Sequence, residues 1–277
     1  MSVTNIQKLG VFDSGIGGLS VLKELVKLPI PEFVYFADTA HLPYGEKTQE
    51  HIQQLTYNAI SLLRSYGVDA VVIACHTASA NAYDYAKAAF PDLPIFDVVT
   101  PAVQQALQVT KNNRIGIIGT QATIYSGLHH NKIMVQRPEA TVIAQACPQF
   151  VPLIEGGLKD KNGLQQALTA YLDPMRQYNV DTLLIGCTHY ELIIDHISQY
   201  LSDSIQLISI PPLMREQVQV SNLLSKAQPS IEYLVSGDID QFINNASNIA
   251  RWSMDNSKVE RVVINHIKNH RKMLIEL

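Results

Sequence analysis

The stretch that decides the fold is Tyr66-Gly-Val-Asp-Ala-Val-Val-Ile-Ala-Cys75, because it recurs as Tyr178-Asn-Val-Asp-Thr-Leu-Leu-Ile-Gly-Cys187. Tyr, Val, Asp, Ile and Cys match without a gap, and the aliphatic positions between them match in kind. Two unrelated strands rarely share five identities in ten residues that include a cysteine at the same final position. The repeat therefore predicts two similar halves that arose by internal duplication.

The surrounding sequence predicts that each half is an α/β unit. Amphipathic stretches with helical spacing, such as Gln49–Tyr66 and Gly163–Tyr178, separate short apolar runs that we interpret as parallel strands buried on both faces. Those runs are Leu9–Phe12, Phe33–Phe36, Ala70–Ala74, Ile115–Ile118, Leu183–Ile185 and Leu207–Ile210. We expect an α/β fold of two parallel-sheet domains, residues 1–98 plus 212–277 and residues 99–211, with the active site in the cleft between them.

Composition narrows the class of protein. The 277 residues are 47% hydrophobic and 17% charged, with a net charge of −4, which gives no basic stripe for nucleic acid. The start of the chain lacks a secretory pattern, and the longest apolar run, Ala70–Cys75, is too short to span a bilayer. Three cysteines make no disulfide framework. We expect a cytoplasmic protein without nucleic-acid or membrane partners, and a homodimer as the common state of soluble enzymes.

Cys75 and Cys187 each follow a predicted parallel strand, at the sheet edge where α/β proteins bind ligands. The turn into the next helix places each thiol near a helix N-terminus, where the dipole favours the thiolate. A single cysteine of this kind is usually a small core hydrophobe. Two cysteines at equivalent points of duplicated halves favour a functional pair instead.

Inversion of a stereocentre is the chemistry that needs such a pair. One group removes a proton from one face of the carbon, and a second group delivers a proton to the opposite face. A thiol suits both roles because its pKa can be tuned toward the working pH. The two cysteines therefore predict acid/base catalysis around a small substrate.

Two further segments supply candidate binding residues. The glycine-rich turn after the first strand offers Asp13 and Ser14, but Ser20 breaks the G-x-G-x-x-G pattern of a nicotinamide site. The irregular stretch Ala37–Gly45 ends in Tyr44 and Gly45 at the same sheet edge. The equivalent place in the second half holds Gly119, Thr120 and Thr123.

The remaining candidates carry weaker signals. His266 and His270 lie four residues apart on a predicted helix, but no third metal ligand is evident. The pair His129-His130 receives no role, and Cys147, which has no counterpart in the repeat, is interpreted as structural. No lysine lies in a Schiff-base context, so the sequence suggests neither pyridoxal phosphate nor another cofactor.

Six motifs together resemble the glutamate racemases of the aspartate/glutamate racemase family, in their usual order. They are LGVFDSGIGGLSVLKEL, ADTAHLPYGEKT, ACHTASA, GIIGTQATIYSG, CPQFVPLIEGG and LLIGCTHYELI, with YLVSGDIDQF nearer the end. The resemblance implies cofactor-independent conversion of L-glutamate to D-glutamate, which supplies peptidoglycan synthesis. It implies that Cys75 and Cys187 are the proton-transfer thiols and that Glu155 is a supporting acid. The candidate substrate-binding residues are Asp13, Ser14, Tyr44, Gly45, His76, Thr77, Thr123, Thr188 and His189.

Three departures from the family pattern lie near this site. His76 stands in place of the usual Asn, Glu191 in place of a Pro, and Pro211-Pro212 in place of a more polar segment. Because histidine is larger than asparagine and titratable, His76 leaves open racemisation of another amino acid, such as aspartate. The sequence is also compatible with a divergent family member that lacks turnover and with a thiol redox protein. The separation of the cysteines argues against the redox protein, since its thiols usually lie in a C-x-x-C pair.

Overall fold

The strands form two parallel sheets. A computed structural model describes residues 6–218, 228–254 and 258–263 of the chain. The strands in these residues are β1 (Lys8–Asp13), β2 (Glu32–Ala37), β3 (Ala70–Ile73), β4 (Ile95–Asp97), β5 (Arg114–Gly119), β6 (Thr141–Ala146), β7 (Thr182–Gly186), β8 (Gln206–Ile208), β9 (Ser230–Val235) and β10 (Lys258–Arg261).

Helices connect the strands and cover the sheets. They are α1 (Leu19–Leu25), α2 (Gln49–Ser65), α3 (His76–Ala89), α4 (Val99–Val109), α5 (Gln121–Tyr125), α6 (Leu128–Gln136), α7 (Phe150–Glu155), α8 (Lys161–Gln177), α9 (Ile194–Leu201), α10 (Ile210–Gln217) and α11 (Ile239–Asn248). Short 3₁₀ helices span Thr39–His41, Tyr44–Glu46, Thr188–Ile193 and Ser202–Ser204. In the described part of the chain, no helix combines the length and apolar character that a membrane span requires.

The order of the strands displays the duplication. The first sheet runs β10-β9-β2-β1-β3-β4, and the second runs β6-β5-β7-β8. The order β2-β1-β3-β4 therefore repeats as β6-β5-β7-β8, and every strand pair is parallel. The two cysteines follow β3 and β7, which are equivalent strands. The predicted fold class, two duplicated parallel-sheet α/β units, is confirmed.

The ends of the predicted elements need one correction. Five predicted strands lie within, or within one residue of, an observed strand, but the sixth, Leu207–Ile210, ends at Ile208, and Ile210 begins α10. The Pro211-Pro212 pair explains the change, because proline lacks an N–H and fits the first turn of a helix. The two predicted helices are observed as α2 and α8, with ends within two residues of the prediction.

Helices α1, α4 and α10 contribute to a core shared by both sheets. Val21, Leu22, Val103 and Met214 are completely buried in this core, together with residues of β1 and β5. Burial of such side chains stabilises the fold by ~1.5–3 kcal/mol each. The core holds the two halves together beside the edge where the cysteines lie.

The C-terminal segment extends the first sheet. Strand β9 pairs with β2, with Tyr233 opposite Tyr35, and β10 pairs with β9. Helix α4, by contrast, packs against β7 and β8 of the second sheet. These contacts support the domain bounds inferred from the sequence, which stay a prediction.

Candidate active site

A cavity of about 20 Å³ lies where the carboxyl ends of β1, β3 and β7 meet. Nine of the predicted site residues line it, namely Ser14, Tyr44, Gly45, Cys75, His76, Thr77, Cys187, Thr188 and His189. Asp13, Thr123 and Glu155 are not among its lining residues; they lie one contact behind them. The sequence analysis missed four lining residues, Leu42, Pro43, Thr120 and Val151, although it placed Thr120 at this edge.

Cys75 sits between strand and helix, as the sequence predicts. It is the N-cap residue of α3, and its thiol donates to the Ser14 hydroxyl at 3.7 Å. The expected shift toward thiolate is not observed. Burial, followed by the charge of Asp13, raises the pKa of the Cys75 thiol to about 12, although the backbone N–H of Ala78 acts in the opposite direction. Loss of solvation outweighs the helix N-terminus in so small a cavity, so Cys75 is held as a thiol.

Cys187 lies beside a charged pair. It directly follows β7 and precedes the 3₁₀ helix Thr188–Ile193, so His189 is two residues further along the turn. The ring nitrogen Nε2 of His189 lies 2.7 Å from Oε1 of Glu155. Burial lowers the pKa of His189, but hydrogen bonds to Cys187 and Glu155 and their charges outweigh it and raise that pKa well above its usual value. A protonated His189 imidazole therefore lies between the sulfur of Cys187 and the carboxylate of Glu155.

The partners of Glu155 fix its position from the other side. Its second oxygen, Oε2, accepts a hydrogen bond from the Asn245 amide at 2.8 Å. Burial raises the pKa of Glu155, but the hydrogen bonds and charge of His189 dominate and lower it overall. Asn245 belongs to α11, so the C-terminal segment contributes to the support of His189.

Asp13 joins the two halves behind the cavity wall. The carboxylate is fully buried at the end of β1 and accepts hydrogen bonds from the Gly15 N–H at 2.8 Å and from the Thr188 hydroxyl at 3.0 Å. Burial raises the pKa of Asp13, against the opposing effects of His189 and these hydrogen bonds. In this arrangement Asp13 orients Thr188, which itself lines the cavity.

The glycine-rich turn packs against the second cysteine motif. A Cβ atom added to Gly17 would lie 2.6 Å from the Thr188 hydroxyl oxygen and 2.7 Å from the His189 backbone nitrogen. Such distances are well inside van der Waals contact, so only glycine allows the turn to approach this closely. Gly17 thus allows the close contact between the halves.

Three threonine hydroxyls form a cluster beside the cavity, and two of them, Thr77 and Thr120, line it. Thr77 lies 2.9 Å from Thr120 and 3.2 Å from Thr123, and the last two are 2.9 Å apart. Thr120 is also the N-cap of α5, since its hydroxyl accepts from the Thr123 N–H. The cluster joins α3 of the first half to α5 of the second.

The Tyr44–Glu46 turn contributes Tyr44 and Gly45 to the lining of the cavity. The Tyr44 hydroxyl donates to Asp38 Oδ2 at 2.6 Å, which anchors the turn. Gly45 lies directly against α5, because a Cβ atom there would be 2.5 Å from Cβ of Thr120. The two halves therefore touch at Gly45 and Thr120, which both line the cavity.

The other candidates lie apart from the cavity. Cys147 is buried in the core of the second half, and its carbonyl oxygen accepts from the Tyr190 hydroxyl at 2.8 Å. His266 and His270 lie outside the described residues. Within the described ranges, no group of three or more His, Cys, Asp or Glu side chains is arranged to hold a metal ion.

Comparison with known proteins agrees with this geometry. The sequence profile of the family Asp/Glu/Hydantoin racemase matches residues 19–214. The glutamate racemase of Aquifex aeolicus is 43% identical over 195 residues, which cover 70% of this chain and 75% of that protein.

Solved structures show the same architecture. Glutamate racemase isoform RacE1 from Bacillus anthracis has a TM-score of 0.84 at 27% identity and covers 95% of this chain and 98% of its own. Glutamate racemase from Francisella tularensis in complex with D-glutamate has a TM-score of 0.83 at 27% identity, with coverage of 95% and 99%. The family resemblance seen in the motifs and the prediction of an amino-acid racemase are thereby confirmed. This chain belongs to the Asp/Glu/Hydantoin racemase family.

Proposed function

We propose that the protein interconverts L- and D-glutamate, with Cys75 and Cys187 as the two acid/base groups. The observation that carries this proposal is that two cysteines at equivalent ends of β3 and β7 line one cavity. Relatives that are 34–43% identical to this chain are glutamate racemases, which favours glutamate as the substrate.

The surroundings of the two thiols support different starting roles for them. Because burial raises the pKa of Cys75, Cys75 starts as the protonated acid. A protonated His189 beside Cys187 supplies the positive charge that a thiolate needs in a buried site. The Cys187 thiolate then removes the Cα proton from one face, while Cys75 delivers its proton to the other. The reverse reaction exchanges these roles.

Hydroxyl groups and backbone N–H groups around the cavity serve substrate binding. Ser14, Thr77 and Thr188 line it, and they offer donors and acceptors for the substrate carboxylates and ammonium group. Thr123 acts through Thr77, Asp13 through Thr188, and Glu155 through His189. Neutral donors aimed at the α-carboxylate also stabilise negative charge as it develops during proton removal.

The cavity volume requires movement during the catalytic cycle. About 20 Å³ accommodates a water molecule or two. Glutamate is several times larger, so the contact of Gly45 with Thr120 opens when substrate enters. Closure around substrate excludes water from the thiols.

The wider setting follows from the proposed reaction. We propose a cytoplasmic, cofactor-independent homodimer whose D-glutamate supplies peptidoglycan synthesis. Aspartate is the second candidate substrate, because the unpartnered ring of His76 lines the cavity where the family usually has Asn.

The test combines a substrate panel with cysteine variants. Wild-type protein, treated with a chelator, is incubated with L-glutamate, D-glutamate and both enantiomers of aspartate while optical rotation is followed. We expect racemisation of glutamate, its loss by at least about 1000-fold in Cys75→Ala and in Cys187→Ala, and wild-type rates in Cys147→Ala. The last variant is the control, since Cys147 is also a buried thiol but lies outside the cavity.

Each outcome separates the candidates. Turnover of aspartate alone would transfer the mechanism to the second substrate. Full glutamate racemisation by either single-alanine variant would refute the two-thiol mechanism. Inactivity of the wild-type protein on all four compounds would reject the racemase proposal for this chain.

A further inference from the structure

Two buried imidazoles face each other at the wall of the candidate active site. The ring centroids of His76 and His129 are 6.0 Å apart, and the ring planes differ by 14°. The residues are only 2% and 3% exposed, and none of their four ring nitrogens has a hydrogen-bond partner. Buried polar groups are nearly always hydrogen-bonded, so four free nitrogens in one place call for an explanation beyond packing.

The two rings come from different halves of the protein. His76 directly follows Cys75 at the start of α3 and lines the cavity. His129 lies in the first turn of α6, in the second half, and is not among the residues that line the cavity. His129 therefore acts on a bound molecule only through the ring of His76.

The surroundings keep both rings uncharged. Burial, together with the charge that His129 would carry, lowers the pKa of His76 well below its usual value. Burial and the nearby Lys132 lower the pKa of His129 to about 4. A neutral imidazole keeps one N–H donor and one acceptor nitrogen, and the N–H remains available for a carboxylate.

We propose that His129 is a positioning residue for His76: the stacked ring holds His76 so that an uncharged N–H is presented to a carboxylate of the bound amino acid. This inference rests on the proposed function and deepens it. It accounts for one free nitrogen of His76, because the bound carboxylate supplies the acceptor that this N–H lacks. It also assigns a role to His129, which no step of the proton transfer uses.

Substitutions at His129 separate ring stacking from other effects. In His129→Ala the His76 ring loses its support, and we expect KM for glutamate to rise about tenfold, ~1.4 kcal/mol, with kcat within about threefold of wild type. In His129→Phe a flat ring remains, and we expect KM within about twofold of wild type. The control is His130→Ala, because His130 is the exposed neighbour on α6 and we expect no change there.

A double-mutant cycle tests whether the effect passes through His76. In a His76→Asn background the supported ring is absent, so His129→Ala should change KM by less than about twofold. A merely structural role of His129 would instead raise KM equally in both backgrounds. That result, or a His129→Ala variant that matches His130→Ala, overturns the inference while the proposed function stands. Absence of racemisation by wild-type protein would be a failure of the proposed function, and the inference would fall with it.

Discussion

Replacement of Glu191 by glutamine should change how stability depends on pH. The carboxylate accepts hydrogen bonds from the Ser209 hydroxyl and the Ile210 N–H, both at 2.8 Å, and so ties the 3₁₀ helix after Cys187 to the start of α10. Burial raises the pKa of Glu191 to about 7, although these two hydrogen bonds act in the opposite direction. Protein with an ionised Glu191 is therefore less stable than protein with a protonated one.

The magnitude follows from the difference between the folded and unfolded pKa values. Between the usual value of 4.5 and about 7, the unfolded chain releases this proton before the folded protein does, so stability falls as pH rises through that range. At about 1.36 kcal/mol per pH unit, ionisation of Glu191 lowers the free energy of unfolding by ~3 kcal/mol above pH 7. Glutamine keeps an acceptor for Ile210 and cannot ionise. We expect the free energy of unfolding of Glu191→Gln to exceed that of wild type by less than about 1 kcal/mol at pH 5 and by ~3 kcal/mol at pH 8.

Thermal unfolding at the two pH values measures this effect. A gain of ~3 kcal/mol corresponds to a Tm about 6 °C higher at pH 8 for a chain of this size. Comparison of the two proteins isolates Glu191, because all other titrating groups are common to both. Glu216→Gln, which removes an exposed carboxylate on α10, is the control. An equal Tm difference at pH 5 and pH 8 would refute the reasoning.

Two further predictions concern the cavity. In Gly45→Ala the new methyl group would lie 2.5 Å from Thr120 Cβ, and this overpacking destabilises the contact between the halves by ~1–3 kcal/mol. We therefore expect kcat/KM to fall at least about fivefold. Unchanged kinetics would show that the turn shifts without cost. In Glu155→Gln the His189 ring loses its charged partner at 2.7 Å, so the pKa of His189 falls and its positive charge is lost at lower pH. The alkaline limb of the kcat/KM profile should move to lower pH, and a profile that coincides with that of wild type would contradict the assigned role of His189.

The strands that are buried on both faces could be predicted from the sequence. Strands β3 and β7 consist of continuous aliphatic residues, and the shared cysteine that follows each strand identified them as equivalent. Strand β6 was not predicted, because it lies partly exposed at a sheet edge and polar residues flank its apolar run, Val142–Ala144. Strands β9 and β10 were not predicted for a similar reason, since only the last three residues of β9 are fully buried and none of β10 is.

The site was predictable where residues are close in sequence or repeated between the halves. Cys75 and Cys187 fall into this class. The pairing of His129 with His76 was not predictable, because contact between α3 and α6 depends on how the two halves pack. The raised pKa of Cys75 was likewise not predictable, since the motif shows the helix N-terminus but not the burial of the thiol.

The isotope content of substrate and product, early in a reaction in D₂O, tests the two-thiol mechanism most directly. Two thiols on opposite faces of Cα predict that the first D-glutamate formed from L-glutamate carries solvent deuterium at Cα, while the remaining L-glutamate keeps its original hydrogen. Mass spectrometry after chiral separation, at less than about a tenth of full conversion, measures both. If deuterium enters L-glutamate as fast as D-glutamate forms, or if D-glutamate retains the substrate hydrogen, a single base serves both faces and the assignment of Cys75 and Cys187 as a facing pair is wrong.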